Sequence, residues 1–104
     1  MEKSRLEILQ EFVAASPTDS FARYGLAQEY LKGGELEKAL EHFRELLSFN
    51  PNYAAAYYHG GQALEKLGRF ELARELYRQG VEVTARTGDQ HACSELQAAL
   101  DLLP

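Results

Sequence analysis

Between positions 35 and 49 the apolar residues Leu36, Ala39, Leu40, Phe43, Leu46 and Leu47 recur every three or four positions. Glu37, Glu41, Arg44 and Glu45 fall between them. On a helix this spacing gathers an apolar stripe opposite a charged one, so it predicts a helix from Glu35 to Phe49. The same period in Leu6, Leu9, Phe12 and Val13 predicts a helix over residues 2–16, stopped by Pro17 because the residue before proline is pushed out of the helical region. A second helix is expected from about Asp19 to Lys32, with Thr18 as N-cap and Gly33-Gly34 as its end. Asn52 is the matching N-cap for a helix from Tyr53 to Leu67. Gly60 and Gly61 weaken that helix by about 1 kcal/mol each relative to alanine. Ala73, Leu76, Tyr77 and Val81 then predict a helix from Phe70 to about Thr87, broken by Gly88. Asp89 caps a last one to about Leu103, whose apolar face is Ala92, Leu96, Ala99, Leu100 and Leu103.

Much of this pattern occurs twice. Arg23, Leu26, Ala27, Tyr30, Ala39, Phe43 and Pro51 return thirty-four residues later as Tyr57, Gly60, Gly61, Leu64, Ala73, Tyr77 and Ala85. Gly34 meets Gly68, and Glu37, Glu41 and Arg44 meet Glu71, Glu75 and Arg78. Pro17 precedes Pro51 by the same interval, which aligns Leu6, Leu9 and Phe12 with Leu40, Phe43 and Leu46. Period and small/large order over residues 5 to about 87 resemble the tetratricopeptide repeat, a helix–turn–helix unit. The chain is also similar to the small stand-alone repeat proteins of bacteria. The resemblance implies an all-α fold, a right-handed superhelical stack of antiparallel helical hairpins with about six helices. The expected division is a half-repeat helix over 1–17, repeats over 18–52 and 53–87, and a capping helix over 88–104, all in one domain. Three positions depart from the family pattern. Arg23 replaces an aromatic, Gly60 stands where the family has Leu, and Ala85 replaces proline, which lets its helix run a turn longer.

Composition narrows the function. Net charge is −5, with acids exceeding bases nine to six through Asn52 and seven to five after it. No basic block exists to neutralise phosphates, so nucleic acid is not the expected partner. No apolar run approaches the roughly 20 residues that cross a bilayer, and the start of the chain lacks a signal-peptide core, so a cytoplasmic protein is expected. Cys93 is the only cysteine, which excludes an internal disulfide and any cysteine pair for a metal.

Catalytic signatures are scarce. There is no phosphate-cradling glycine loop, no Gly-x-Ser-x-Gly elbow and no His-Glu-x-x-His. His42 falls on the charged side of its helix and reads as solvated. His91 and Cys93 are two apart, about 200° around a helix, and form neither dyad nor metal pair. No enzyme, cofactor or metal is expected.

One pattern stands out. Tyr24, Gln28 and Lys32 are spaced by four, and Tyr58, Gln62 and Lys66 repeat the same types thirty-four residues on. Each trio forms a stripe along one helix face. The family resemblance implies that first helices line a concave surface, so the stripes would lie side by side in a groove, with Phe21, Ala55 and His59 near one end. Tyrosine offers apolar area with a polar tip, the glutamine amide can bond a peptide backbone, and lysine can meet an acidic side chain or a chain terminus. These nine residues are the candidate groove for a short peptide of a partner protein. Equally, the tyrosines could only fill the junction between neighbouring first helices. Tyr24 and Gln28 occupy the places of the Lys and Asn in the carboxylate clamp of chaperone adaptors, so a heat-shock tail is not expected. A second reading is a homodimer, with Leu102, Leu103 and the incomplete first repeat leaving apolar ends.

Overall fold

The computed structural model describes residues 2–104; Met1, counted in the first expected segment, lies outside the described residues. Six α-helices follow in order: α1 (Arg5–Ala15), α2 (Ser20–Lys32), α3 (Leu36–Phe49), α4 (Ala54–Lys66), α5 (Phe70–Thr87) and α6 (Gln90–Asp101). No strand occurs among the described residues, and none of their helices is long and apolar enough to cross a membrane. Each helix packs on the next in sequence, and α4 also touches both α2 and α6. The result is an all-α solenoid of 46 × 29 × 19 Å.

The helix starts follow local hydrogen bonding more closely than apolar spacing. α1 begins after Ser4, whose hydroxyl accepts the Glu7 N–H at 3.1 Å while the Glu7 carboxylate accepts the Ser4 N–H at 3.4 Å. This reciprocal cap sets the boundary three residues later than residue 2. The N-cap of α2 is Asp19, not Thr18: its Oδ1 accepts the Ala22 N–H at 2.9 Å, while Thr18 stays in the preceding turn. A carboxylate there also meets the positive end of the helix dipole. Thirty-four residues on, the corresponding place is Tyr53 rather than Asn52, and it supplies no side-chain cap. Asp89 caps α6 as expected, accepting the Ala92 N–H at 3.1 Å.

The turns are near copies. Gly34 and Gly68 take φ of +78° and +76°, where an L side chain is strained. Each glycine lets the next N–H reach back: Glu35 donates to Tyr30 O and Arg69 to Leu64 O, both at 2.9 Å. The prolines are also used twice. Arg23 Nη2 donates to Pro17 O at 2.8 Å, and Tyr57 Oη donates to Pro51 O at 2.7 Å. Guanidinium and phenol thus make the same tie at the same register.

That exchange reshapes its surroundings. His42 is not solvated as its place on the charged face suggested; it is half-buried and stacked on Tyr30 with ring centroids 5.5 Å apart. Its Nδ1 lies 3.1 Å from Arg23 Nη1. Burial first, then the Arg23 charge, hold its pKa below the usual histidine range.

Three apolar clusters run through the stack. Val13, Ala22 and Leu26 join α1 to α2, and Ala27, Ala39, Phe43, Leu46 and Ala56 join α2, α3 and α4. The largest cluster joins α4, α5 and α6 to the flank of α3, with Tyr57, Tyr77 and Leu96 at its centre. Leu103 belongs to it and is buried, so only Leu102 of the terminal pair is exposed, at 84%. Leu103 is thus no part of an apolar end face.

Phe43 and Tyr77 are wholly buried at matching places. A Cβ added at Gly61 would lie 2.1 Å from Tyr77 Cε1, so only glycine allows the ring to cross α4 there. The Tyr77 hydroxyl donates to the Glu65 carboxylate, which satisfies the phenol at the edge of the core. Gly60, in place of the family leucine, leaves no hole: Leu76 and Phe43 fill the space, 3.0 and 3.5 Å from an added Cβ.

Gly61→Ala is therefore expected to destabilise the protein by about 2–3 kcal/mol, because the Tyr77 ring cannot move aside within the core. Gly60→Ala is tight against one leucine methyl alone, its contact with Phe43 being of ordinary length, and it gains helix propensity, so its change should stay within about 1 kcal/mol. Urea denaturation of the two variants checks this, and equal midpoints would overturn the packing account.

Candidate peptide-binding groove

The parallel first helices α2 and α4 carry the two Tyr/Gln/Lys stripes, and their contact brings the tyrosines close to one aromatic bridge. That bridge is His59. Its ring centroid lies 5.9 Å from Tyr24 and 5.2 Å from Tyr58, with Phe43 behind it at 6.4 Å. His59 therefore stands between the stripes, not beside Phe21 at one end of them. Tyr53 extends the row on one side, 5.3 Å from Tyr24, and Tyr77 on the other, 6.5 Å from Tyr58. Four half-buried rings, Tyr53, Tyr24, His59 and Tyr58, floor this face as a ribbon, and Tyr77 lies buried behind its end.

Its polar groups are partly engaged within the protein. Gln28 Nε2 donates to Tyr24 Oη at 3.2 Å, while Gln28 Oε1 is buried without a partner among the described residues. Gln62 Oε1 lies 3.2 Å from His59 Nδ1. Because an amide oxygen only accepts, that nitrogen carries the proton and Nε2 of the neutral ring is left as an acceptor. Burial lowers the His59 pKa below the ordinary range, against weaker upward pulls from Gln62 and Glu95. Burial raises the Tyr24 phenol, and Tyr53 adds to the effect. Near neutral pH the ribbon is uncharged.

Tyr24, Gln28, Ala55, Tyr58, His59 and Gln62 are half-buried, so each packs and still shows surface. Phe21 is 80% exposed at the start of α2 and is not drawn into the ribbon. Lys32 and Lys66 are exposed at the other ends of α2 and α4, and neither forms an ion pair among the described residues. Beside Lys66, Gln62 and Glu65 line a shallow hollow of about 220 Å³.

A deeper cleft of about 360 Å³ opens between α4 and α6, where Ala55, Tyr58 and His59 face Ala92 and Leu96. The sequence reading left α6 out of the site. Carrying the thirty-four-residue interval one step further would have found it, since Ala92 and Leu96 follow Tyr58 and Gln62 by that interval. Cys93 lies outside the cleft's lining, with Sγ directed to Val81 O at 3.8 Å. Among the described residues no group of three His, Cys, Asp or Glu side chains could hold a metal.

A stack of helical hairpins with small-residue crossings and an aromatic first-helix face defines a class of repeat scaffold. Two family descriptions match the chain, a TPR repeat over residues 27–68 and a tetratricopeptide repeat over residues 54–87. A TPR repeat-containing protein of Pseudomonas aeruginosa is 30% identical over 95 residues, covering 91% of this chain and 90% of that protein. The chain belongs to the tetratricopeptide repeat family. The solution structure of a tetratricopeptide repeat domain protein from Salinibacter ruber is 45% identical, covers 82% of this chain and 86% of its own, and has a TM-score of 0.77. PcrH, solved in complex with the chaperone-binding region of PopD, shares the fold at a TM-score of 0.86 and 18% identity, covering 92% of this chain and 73% of its own.

Gln62→Ala should lower the His59 pKa further, because the lost hydrogen bond favours the charged ring. A rise on NMR titration of the ring protons would refute the assignment. Since the folded values of His42 and His59 both lie below the unfolded one, their contribution to stability is complete above about pH 6.5. It is lost as pH falls from there through the folded values. Denaturation midpoints that stay constant between pH 7.5 and 5.5 would contradict this.

Proposed function

We propose that the chain is a non-enzymatic interaction module whose α2–α4–α6 face binds a short segment of a partner protein. The observation that carries this reading is the joining of the twin tyrosine stripes through His59 into one uncharged aromatic face, with free lysines at one edge. Such a face suits an extended peptide. The rings supply apolar area at low entropy cost, and the glutamine amides and His59 Nε2 can meet a peptide backbone. The distant fold relative PcrH, held in complex with a region of PopD, supports a protein partner for this architecture. With three first helices the face is short, and micromolar affinity is expected.

A second reading rests on Ile8, Phe12 and Leu102, which leave apolar surface exposed on α1 and just beyond α6. It predicts self-association through these ends, and a monomer by sedimentation at high micromolar concentration would remove it.

The groove is tested by affinity capture from the native cell with wild type, Tyr24→Ala/Tyr58→Ala and Lys32→Glu/Lys66→Glu. Tyr24 also packs against Phe43, so the first variant needs its fold checked by circular dichroism. The lysines are exposed and their variant should fold normally. Both variants are expected to lose at least about tenfold of the captured partner. Undiminished recovery by two folded variants would discard the face.

A further inference from the structure

Resting on that reading, we infer that the α4–α6 end of the face takes an arginine or lysine side chain of the partner segment, its stem in the cleft and its charge against Asp89 and Glu95. The cleft is floored by Ala54, Ala55 and Ala92, small residues that leave about 360 Å³ open, and Tyr58 and Leu96 wall it with apolar surface. Both carboxylates border the same space. A long cationic side chain matches this combination, because its methylenes lie on apolar surface while its head stays at a polar rim.

Charge complementarity sets the sign. From Thr87 to Pro104 the chain holds Asp89, Glu95 and Asp101 and no lysine or arginine. Lys32 and Lys66 stand at the C-terminal ends of α2 and α4, whereas Asp89 stands at the N-terminal end of α6. The face is therefore polarised, and an acidic side chain in the cleft would meet two like charges. His59 borders the cleft but brings no competing charge near neutral pH, since burial keeps it deprotonated.

The carboxylates are not used up by the fold. Glu95 Oε1 pairs with His91 Nε2 at 3.0 Å, but that pair is highly exposed and such pairs are weak in water. Asp89 uses Oδ1 as the cap of α6. Glu95 also stands at the place held by Ala27 and Gly61 in the two preceding first helices. Those two are buried beneath their partner helices, whereas Glu95 is exposed and can carry charge.

The test is an amide NMR titration of the full chain with blocked hexapeptides, Ac-Ala-Leu-Xaa-Ala-Leu-Ala-NH2, in which Xaa is Arg, citrulline, Leu or Glu. Blocking both ends removes terminal charges that Lys32 and Lys66 could capture. The Arg peptide is expected to shift Ala55, His59, Ala92 and Glu95 and to bind about fivefold tighter than the isosteric citrulline peptide, the worth of one exposed charge pair. Glu95→Gln and Asp89→Asn, the latter retaining a capping oxygen, should each bring binding of the Arg peptide down toward that of the citrulline peptide. Equal binding of the Arg and Glu peptides, or an Arg preference that survives both substitutions, overturns the inference. If the peptides shift Tyr24, Gln28 and Tyr58 without an Arg preference, the inference falls and the binding face stands. If none of them shifts any of these residues, both fall.

Discussion

The close crossing of a bulky ring over a small residue sets the spacing of this molecule. Phe43 lies at the place matching Tyr77, and Ala27 at the place matching Gly61. Ring and small residue are almost without exposure in the first pair, and Tyr77 is so tight against Gly61 that no Cβ fits. Such a contact lets two helix axes approach closely over one turn, and dense packing around it resists sliding. Once each hairpin has that geometry, the first helices of successive hairpins must lie beside one another. The twin stripes share a face for this reason.

The stack tolerates change where a function can be met by other chemistry. Arg23 and Tyr57 tie back to the preceding proline carbonyl with unlike groups. The exchange is not neutral elsewhere, since the guanidinium lies against His42, which stacks on Tyr30. Likewise Gly60 gives up the leucine of the first repeat, and Leu76 moves into the space. Gly80, where the first repeat has Leu46, lets Tyr57 and Leu96 come within 2.7 and 2.9 Å of the position a Cβ would take. At both glycines a side chain lost from one helix is replaced by one from another.

In the aromatic ribbon the same residues both pack and stay partly exposed. Tyr24 packs against Phe43, Tyr53 and His59, yet it remains half-exposed with its hydroxyl bonded to Gln28. A surface held by its own hydrogen bonds loses little entropy when a peptide lies on it. At the α6 end the same face changes character, from rings and amides to alanines and carboxylates.

The sequence alone determined the elements whose causes are local. Apolar stripes of helical period, the thirty-four-residue interval, Pro17 and Pro51, and the glycines at 34, 68 and 88 located all six helices to within a few residues. The same interval exposed the twin stripes, since residues four apart on a helix must share a face. A side-chain hydrogen bond decided that Asp19 rather than Thr18 caps α2, whereas Tyr53 stands at the matching place in α4, where Asn52 was expected, with no side-chain cap. Only tertiary structure decided that His59 joins the two tyrosines, that His42 is stacked, and that α6 supplies half of the cleft. Those facts depend on the rotation of each helix against neighbours distant in sequence. That rotation is set by close contacts of a ring on alanine or glycine whose depth no periodicity records.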